Sequence, residues 1–343
     1  MMRKSALLAA LVAILLLSSE AVSLAAPKIA SLGSCSLSSG AVIPDCRLAY
    51  RSFGRLNAAR DNTVLIGTWL LGRSDEWVPL LGSNAVVDTT KFHVVVVDAL
   101  ADGLSSSPSN TAPAARGVFA RLTIGDMVVA QHRLVHEHLG LDRLRAVLGF
   151  SMGGMQAFEW AVRYPTELDL AIPISGSPRV GTFDRLLWTK YLDEVGTGLS
   201  GLVTPEEAWL RVVRLETLML RTPSAVNRES WDSVEASIRS EAATLAKTWD
   251  LADFAAQLRA IRYYDAYQGI GGDMAHAASK VRSRLLIIHS PQDHIVTIEP
   301  SREFARMVSS DTLWVTSPCG HIALWCERGT IAAAVEKFLS SGR

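Results

Sequence analysis

Short apolar segments rich in β-branched residues alternate with longer amphipathic segments along most of the chain. Apolar runs bounded by turn residues predict buried strands, and apolar residues recurring every three or four positions predict helices. Strands that alternate with helices are typical of an α/β fold, in which a mostly parallel, doubly wound sheet has helices on both faces. The predicted strands cover residues 64–66, 93–98, 145–149, 168–174, 284–289 and 313–316, after an edge hairpin at 36–51, and the clearest core helices cover residues 124–139 and 152–163.

Between residues 179 and 279 the strand pattern stops and helical spacing replaces it. Thr204-Pro205-Glu206-Glu207 is typical of a helix start, and residues 231–249 and 251–264 also predict helices. A helical block inserted between two strands of a parallel sheet forms a lid over the carboxyl ends of the strands, where such sheets bind ligands. The predicted organisation is a leader (1–25), a first core part (26–178), the lid (179–279) and a second core part (280–343).

The leader has the pattern of an export signal. Arg3 and Lys4 precede an unbroken apolar run over residues 6–17, and small residues suited to cleavage follow. The run is shorter than the roughly 20 residues that span a bilayer, so we expect cleavage and no stable membrane insertion afterwards. The expected location is secreted or periplasmic, with an uncleaved membrane anchor as the alternative.

Charge and cysteine usage narrow the choice of partners. Among 343 residues, 34 Lys and Arg balance 34 Asp and Glu, so no field of one sign favours nucleic acid or an anionic membrane. Four cysteines in an exported chain predict disulfides, and they form two local pairs, Cys35 with Cys46 and Cys319 with Cys326. Lipid attachment at Cys35, which ends a loose lipobox, is the alternative for that residue.

The strongest chemical motif is Gly149-Phe150-Ser151-Met152-Gly153, a G-x-S-x-G that follows a predicted strand and opens a predicted helix. This context is the nucleophile elbow of the α/β-hydrolase fold, in which a sharp turn projects the serine oxygen over the helix N-terminus. A glycine-flanked serine without that context is usually only a turn residue. Here the strand and the helix favour Ser151 as the nucleophile.

A serine hydroxyl needs a base and an orienting carboxylate, which follow in this fold in the order Ser, Asp, His. Asp293 and His321 each follow a later predicted strand, which places them where the order requires. The alternative interpretation is a turn residue for Asp293 and a surface histidine for His321. We predict a catalytic triad of Ser151, Asp293 and His321.

An acyl-transfer intermediate also needs backbone N–H donors for its oxyanion. We expect these from Met152 and from Leu70 in the loop after the first core strand, with Trp69 or Leu71 as alternatives to Leu70. Substrate contacts are expected from the residues beside the catalytic loops: Trp69, Leu71, Ile322 and Trp325.

His132, His136 and His138 suggest a metal site because the first two share a helix face, but no acidic residue on that face completes a ligand set. A solvated helix face is the favoured interpretation. The sequence implies neither a metal nor an organic cofactor.

Three segments of the chain carry a resemblance to a known family, and the third contains the predicted nucleophile. They are Leu48-Ala49-Tyr50 with Phe53-Gly54-Arg55-Leu56-Asn57 and Asp61-Asn62-Thr63-Val64-Leu65, then Leu122-Thr123-Ile124-Gly125-Asp126-Met127-Val128 with Ala130-Gln131, and Ser151-Met152-Gly153-Gly154-Met155-Gln156-Ala157 with Glu159-Trp160-Ala161 and Tyr164-Pro165. Through these segments the sequence resembles the homoserine O-acetyltransferases along nearly the whole mature chain. The resemblance implies an α/β-hydrolase fold, the triad Ser151, Asp293 and His321, and an oxyanion loop at Leu70.

Three departures from that family bear on the substrate. Ile322 stands after His321, where the family carries an acidic residue that helps to hold the homoserine amine, and Gly125 replaces an arginine. His294-Ile295-Val296-Thr297 replaces an apolar-Phe-Pro stretch after the acid. A buried site without its charged partner binds a zwitterion poorly, and acetyl-CoA is a cytoplasmic metabolite.

The sequence therefore predicts a secreted serine hydrolase that cleaves a small-molecule carboxylic ester or related acyl bond. The alternatives are an O-acyltransferase of the homoserine O-acetyltransferase type and an inactive binding module. A homodimer formed through the lid is the expected protein partner.

Overall fold

The computed structural model describes residues 26–342, so the predicted leader lies outside the described residues. Eight strands form the main sheet in the order β1-β4-β6-β5-β7-β8-β9-β10, and β2 with β3 forms a separate two-stranded sheet. The strands are β1 (Lys28–Ser31), β2 (Cys35–Ser36), β3 (Val42–Ile43), β4 (Arg47–Phe53), β5 (Thr63–Gly67), β6 (His93–Val97), β7 (Leu144–Phe150), β8 (Leu168–Ile174), β9 (Arg284–His289) and β10 (Asp311–Trp314).

The six strands β5 to β10 pair with one another in parallel, and β4 and β1 add antiparallel strands beyond β6. Every residue of β5 is buried, as expected for a central strand with helices on both faces. The predicted edge hairpin needs correction: β2 and β3 pair only with each other, and the edge consists of β4 and the unpredicted β1. Only one of the four β1 residues is buried, so its apolar signal is weak.

Eleven α-helices lie within residues 26–342, beside several 3₁₀ segments. The predicted helix over 152–163 is present with those bounds. The helix predicted over 124–139 divides, because α1 is followed by a single π-helical segment, Leu134–His138. The helices are α1 (Ile124–Arg133), α2 (Met152–Arg163), α3 (Thr182–Leu199), α4 (Pro205–Leu220), α5 (Pro223–Val226), α6 (Trp231–Thr248), α7 (Leu251–Arg262), α8 (Met274–Lys280), α9 (Glu299–Val308), α10 (Ala323–Cys326) and α11 (Arg328–Ser340).

The helices α3 to α8 stand between β8 and β9 in the chain, over the range predicted as a lid. Thr204 caps α4 through its side chain, which accepts a hydrogen bond from the Glu207 amide, as the sequence indicates. The helix α3 was not predicted, since apolar residues such as Leu186 are exposed and blur its buried face. Within residues 26–342, no helix is long and apolar enough to cross a membrane.

Candidate active site

Ser151 lies at the turn between β7 and α2. Its backbone has φ +55° and ψ −119°, a conformation that L-residues with side chains rarely adopt and that commonly costs about 1–3 kcal/mol. The turn places Ser151 at the start of the helix, where the N-terminal dipole favours negative charge. Its amide donates to Ile174 O at 2.8 Å, which ties the turn to the end of β8.

The glycines of the motif are required by close backbone contacts. A Cβ at Gly149 would lie 2.2 Å from the Gly153 carbonyl, and a Cβ at Gly153 would lie 2.3 Å from Gly67 O. Both distances are far below van der Waals contact, so larger residues would separate β5, β7 and α2. The glycines therefore allow the strand and the helix to approach closely enough to form the sharp turn at Ser151.

The structure brings Ser151, His321 and Asp293 together, although 170 residues separate the first two in the chain. His321 Nε2 lies 2.9 Å from Ser151 Oγ, and His321 Nδ1 lies 2.7 Å from Asp293 Oδ2. All three residues are buried. With Nδ1 donating to the carboxylate, Nε2 is free to accept the serine proton, so the line of contacts has the geometry of a nucleophile, a base and an orienting acid.

The Asp293 carboxylate is held in its ionised form by several donors. Its Oδ1 accepts hydrogen bonds from the amides of Ile295 and Val296, each at 2.9 Å. Burial alone would raise the pKa of Asp293, but the neighbouring His321 and hydrogen bonds from His289 and His321 lower this pKa well below its usual value. A charged Asp293 at this distance favours the protonated form of the His321 ring, as the acid of a triad does.

His289 is a neighbour of the site that the sequence analysis missed, because it ends an apolar strand and was assigned to that strand. Its Nε2 lies 2.9 Å from Val296 O and 3.3 Å from Asp293 Oδ2. The side chain is fully buried. His289 therefore contacts both the Asp293 carboxylate and the backbone of the loop that carries it.

The loop predicted to form the oxyanion hole lies beside Ser151. Leu71 has φ +64°, and its amide lies 3.4 Å from Gln257 Oε1 on α7. Leu70 lines the same cavity as Ser151, while Met152 begins α2 directly after the serine. The assignment of Leu70 and Met152 as oxyanion donors stays a prediction.

A cavity of about 350 Å³ opens above Ser151 and His321. The four predicted substrate contacts, Trp69, Leu71, Ile322 and Trp325, all line it. Aromatic rings form one wall, with the Trp325 ring centroid 5.5 Å from that of Trp69 and 4.9 Å from that of Phe150.

Helices α3, α4 and α6 contribute a polar part of the cavity that sequence reasoning did not identify. Trp188 and Tyr191 are almost fully buried, and within residues 26–342 neither the indole N–H nor the hydroxyl has a hydrogen-bond partner. Burial raises the pKa of Glu216 to about 8, and the charge of Glu241 adds to the effect. Trp188, Tyr191, Glu216 and Glu241 thus give this part of the cavity lining a polar character.

Both predicted cysteine pairs are disulfides in the structure. Cys35 and Cys46 have Cα atoms 5.6 Å apart, which leaves no Cys35 thiol for a lipid. Cys319 and Cys326 have Cα atoms 6.5 Å apart and bracket His321. The second bridge closes the short segment that carries His321.

Two features singled out in the sequence lie away from this cavity. Gly125 lines a separate cavity of about 530 Å³, beside Glu159 and Arg163. The replacement of the family's arginine by Gly125 therefore does not affect the cavity above Ser151. His132 and His136 do not form a plainly solvated face: both rings are about three-quarters buried and contact Glu167, which comes from another element.

Comparison with known proteins agrees with this geometry. The profile of the α/β hydrolase fold matches residues 64–327. The chain is 30% identical to an ethyl acetate hydrolase of Pseudomonas veronii over 86% of its own length and 89% of the relative. It is 25% identical to a homoserine O-acetyltransferase of Mesorhizobium japonicum over 89% of its length and 90% of the relative.

Among solved structures, an acetylester hydrolase from Corynebacterium glutamicum superposes with a TM-score of 0.85 at 27% identity, covering 92% of this chain and 96% of that one. The chain belongs to the α/β-hydrolase superfamily, in the group that contains the homoserine O-acetyltransferases and related esterases. The predicted fold and family are therefore confirmed. The members of this group that the chain resembles are acyl-processing enzymes, either esterases or acyltransferases.

Proposed function

We propose that the protein is an exported serine hydrolase that cleaves small carboxylic esters through an acyl-Ser151 intermediate. The observation that carries the proposal is the continuous line of contacts from Ser151 Oγ through His321 to Asp293, with distances of 2.9 and 2.7 Å. The similarity to an ethyl acetate hydrolase supports an ester as the substrate.

In the first half of the reaction, Ser151 Oγ attacks the ester carbonyl carbon while His321 Nε2 takes the serine proton. The negative carbonyl oxygen of the tetrahedral intermediate accepts hydrogen bonds from the amide N–H groups of Met152 and Leu70. The C–O bond to the alcohol then breaks, and His321 returns the proton to the departing alkoxide oxygen. The alcohol leaves, and the acyl group stays on Ser151.

In the second half, a water molecule gives a proton to His321 and attacks the acyl carbon. The bond to Ser151 Oγ breaks, the serine regains its proton from His321, and the carboxylic acid is released. Water is the favoured acceptor because Ile322, which lines the cavity next to His321, offers no charge to an amino-acid ammonium group. A missing charged contact of this kind commonly costs about 2–5 kcal/mol.

Short acyl groups and small alcohols fit the proposed substrate class. The cavity of about 350 Å³ is near the lower end of the usual range for small-molecule sites, and its wall of Trp69, Phe150 and Trp325 is apolar. The helices over residues 179–279 act as the lid in this proposal, because Trp188, Tyr191 and Glu216 line the cavity. A homodimer through the lid stays a prediction.

The export part of the proposal rests on the leader pattern and on the two disulfides, which persist in oxidising compartments. The alternative function, transfer of an acyl group to a hydroxyl acceptor, is supported by the homoserine O-acetyltransferase relatives.

One assay on one purified sample separates the two functions. Acid release from ethyl acetate and from 4-nitrophenyl acetate is followed without CoA, and thiol release from acetyl-CoA is followed with increasing homoserine. We expect steady acid release and no homoserine-dependent thiol release. Saturable, homoserine-dependent thiol release with negligible ester hydrolysis would overturn the hydrolase proposal.

The matched variants are Ser151→Ala and His321→Ala, which should each lower kcat by about 10⁴-fold or more while the circular dichroism spectrum stays unchanged. A Ser151→Ala protein that keeps a tenth of the wild-type rate would contradict the assigned nucleophile.

A further inference from the structure

Two imidazoles and one carboxylate converge near the amino ends of β7 and β8, at the end of the sheet opposite Ser151. His132 is near the end of α1, His136 is in the π-helical segment that follows, and Glu167 directly precedes β8. His132 Nε2 and His136 Nε2 lie 2.9 and 2.7 Å from the same carboxylate oxygen, Oε2 of Glu167. The three potential ligand atoms all lie within 4.8 Å of one another.

Backbone and ring contacts hold these side chains in place. The Glu167 amide donates to Tyr164 O at 3.0 Å, and the Glu167 carbonyl accepts from the Leu144 amide at 2.8 Å. The His132 ring stacks on Tyr164 with centroids 4.0 Å apart and an interplanar angle of 17°. The side chains of His132, His136 and Glu167 keep exposures of 26%, 26% and 29%, so solvent reaches the group without surrounding it.

We propose that His132, His136 and Glu167 form a binding site for a transition-metal ion, with Zn²⁺ as the best match. Two imidazole nitrogens and one carboxylate oxygen are a common zinc ligand set, and water completes the tetrahedron from the exposed side. Zinc bonds of about 2.0–2.1 Å require ligand atoms about 3.3 Å apart, so the two contacts to Glu167 open by about half an ångström.

The site stabilises the fold and takes no part in ester cleavage. Glu167 and Leu144 lie at the amino ends of β8 and β7, whereas Ser151 follows the carboxyl end of β7. The seven residues of β7 span about 20 Å and so separate this end of the sheet from Ser151. A bound ion joins the end of the first core helix to the start of a central strand, which resists separation of α1 from the sheet.

The test uses the full mature protein without an affinity tag, treated with a chelator and then dialysed. Zinc chloride is titrated by calorimetry, and cobalt chloride is added to a second sample to read the coordination geometry from visible absorption. We expect one zinc ion per chain and a melting temperature that rises by about 4 °C at 100-fold excess over Kd. The rate of ester hydrolysis should stay unchanged.

His136→Ala and Glu167→Gln should each weaken zinc binding by about 100-fold or more, since losing even a residue that only supports a ligand costs 10- to 100-fold. The matched control is His138→Ala, which removes an exposed histidine of the same π-helical segment and should leave zinc affinity unchanged. If Glu167→Gln fails to fold, His136→Gln serves in its place. No saturable binding below about 100 µM zinc, or equal affinity in the wild type and His136→Ala, would leave only a hydrogen-bonded cluster and overturn the proposal.

Discussion

His289 and His321 approach the same oxygen of Asp293, at 3.3 and 2.7 Å respectively. The nearer imidazole faces Ser151, whereas His289 also contacts Val296 O at 2.9 Å and thereby ties the Asp293 loop to the end of β9. The acid of the proposed triad is thus contacted by two imidazoles, of which only His321 belongs to the triad.

We predict that His289→Leu lowers kcat for ester hydrolysis by about tenfold and leaves KM within a factor of two. The substitution keeps the buried volume approximately but removes the contact to Val296 O, so the carboxylate is held less firmly against His321. Steady-state kinetics on 4-nitrophenyl acetate checks this, with the melting temperature measured alongside. An unchanged kcat would show that His289 only fills space.

The second prediction concerns Gly153, two residues after Ser151. Gly153→Ala places a Cβ about 2.3 Å from Gly67 O and should reduce the free energy of unfolding by about 3 kcal/mol. Activity should fall with it, since the turn at Ser151 depends on that close approach. Gly196→Ala is the control: it lies inside α3 with open space around it, and alanine there should stabilise by about 0.5–1 kcal/mol. Urea denaturation of the wild type and both variants measures these changes in the free energy of unfolding. Equal destabilisation by the two substitutions would contradict the prediction.

The third prediction compares the two disulfides. Replacing Cys319 and Cys326 by serine opens a loop with a separation of 7 residues, and replacing Cys35 and Cys46 opens one of 11. Loop entropy gives each bridge a similar stabilisation of about 2.5–3 kcal/mol. Only the first pair brackets His321, so only its removal should lower kcat by more than the loss of folded protein explains. Equal residual activity per folded molecule in both double variants would refute a role for the Cys319–Cys326 bridge in positioning His321.

The fourth prediction is a pH dependence of stability. Because burial raises the pKa of Glu216 to about 8, above the value near 4.5 of an unfolded chain, the folded state binds this proton more tightly. The stability linked to Glu216 is therefore present at low pH and is lost as pH rises from about 4.5 through 8.

Thermal unfolding at pH 6 and pH 9 tests this. Glu216→Gln should narrow the difference in melting temperature between the two pH values. Glu206→Gln, at the exposed start of the same helix, should keep the wild-type difference. A Glu216→Gln protein with the wild-type pH dependence would contradict the assignment.

The sequence predicted the core strands and the order of the proposed triad because both depend on local patterns. A buried parallel strand is a short apolar run, and the elbow is a motif flanked by a strand and a helix. The edge strand β1 was missed, since only Ala30 of its residues is buried. The strand predicted over 313–316 begins earlier in the structure, as β10, because its pairing with β9 starts at the polar residues Asp311 and Thr312.

The parts of the two sites that sequence reasoning missed depend on contacts between residues far apart in the chain. Glu167 contacts His132 and His136 across 35 and 31 residues, and helical spacing cannot predict contacts over such separations. Glu216 resembles an ordinary polar position of an amphipathic helix until α6 and the cavity surround it. Such residues become visible only when the packing of whole elements is known.

The local pairing of the four cysteines also bears on how the chain acquires its covalent structure. Any mismatched bridge must join the first pair to the second and close a loop of at least 273 residues, the distance from Cys46 to Cys319, instead of 11 or 7. The loss of chain entropy makes closing the longer loop less favourable by about 3 kcal/mol of free energy. The native bridge is therefore favoured over a mismatched one by roughly a hundredfold, even in an unfolded chain. Oxidation during or before folding should therefore yield the correct isomer with little need for a reshuffling catalyst, a practical advantage for production in an oxidising host compartment.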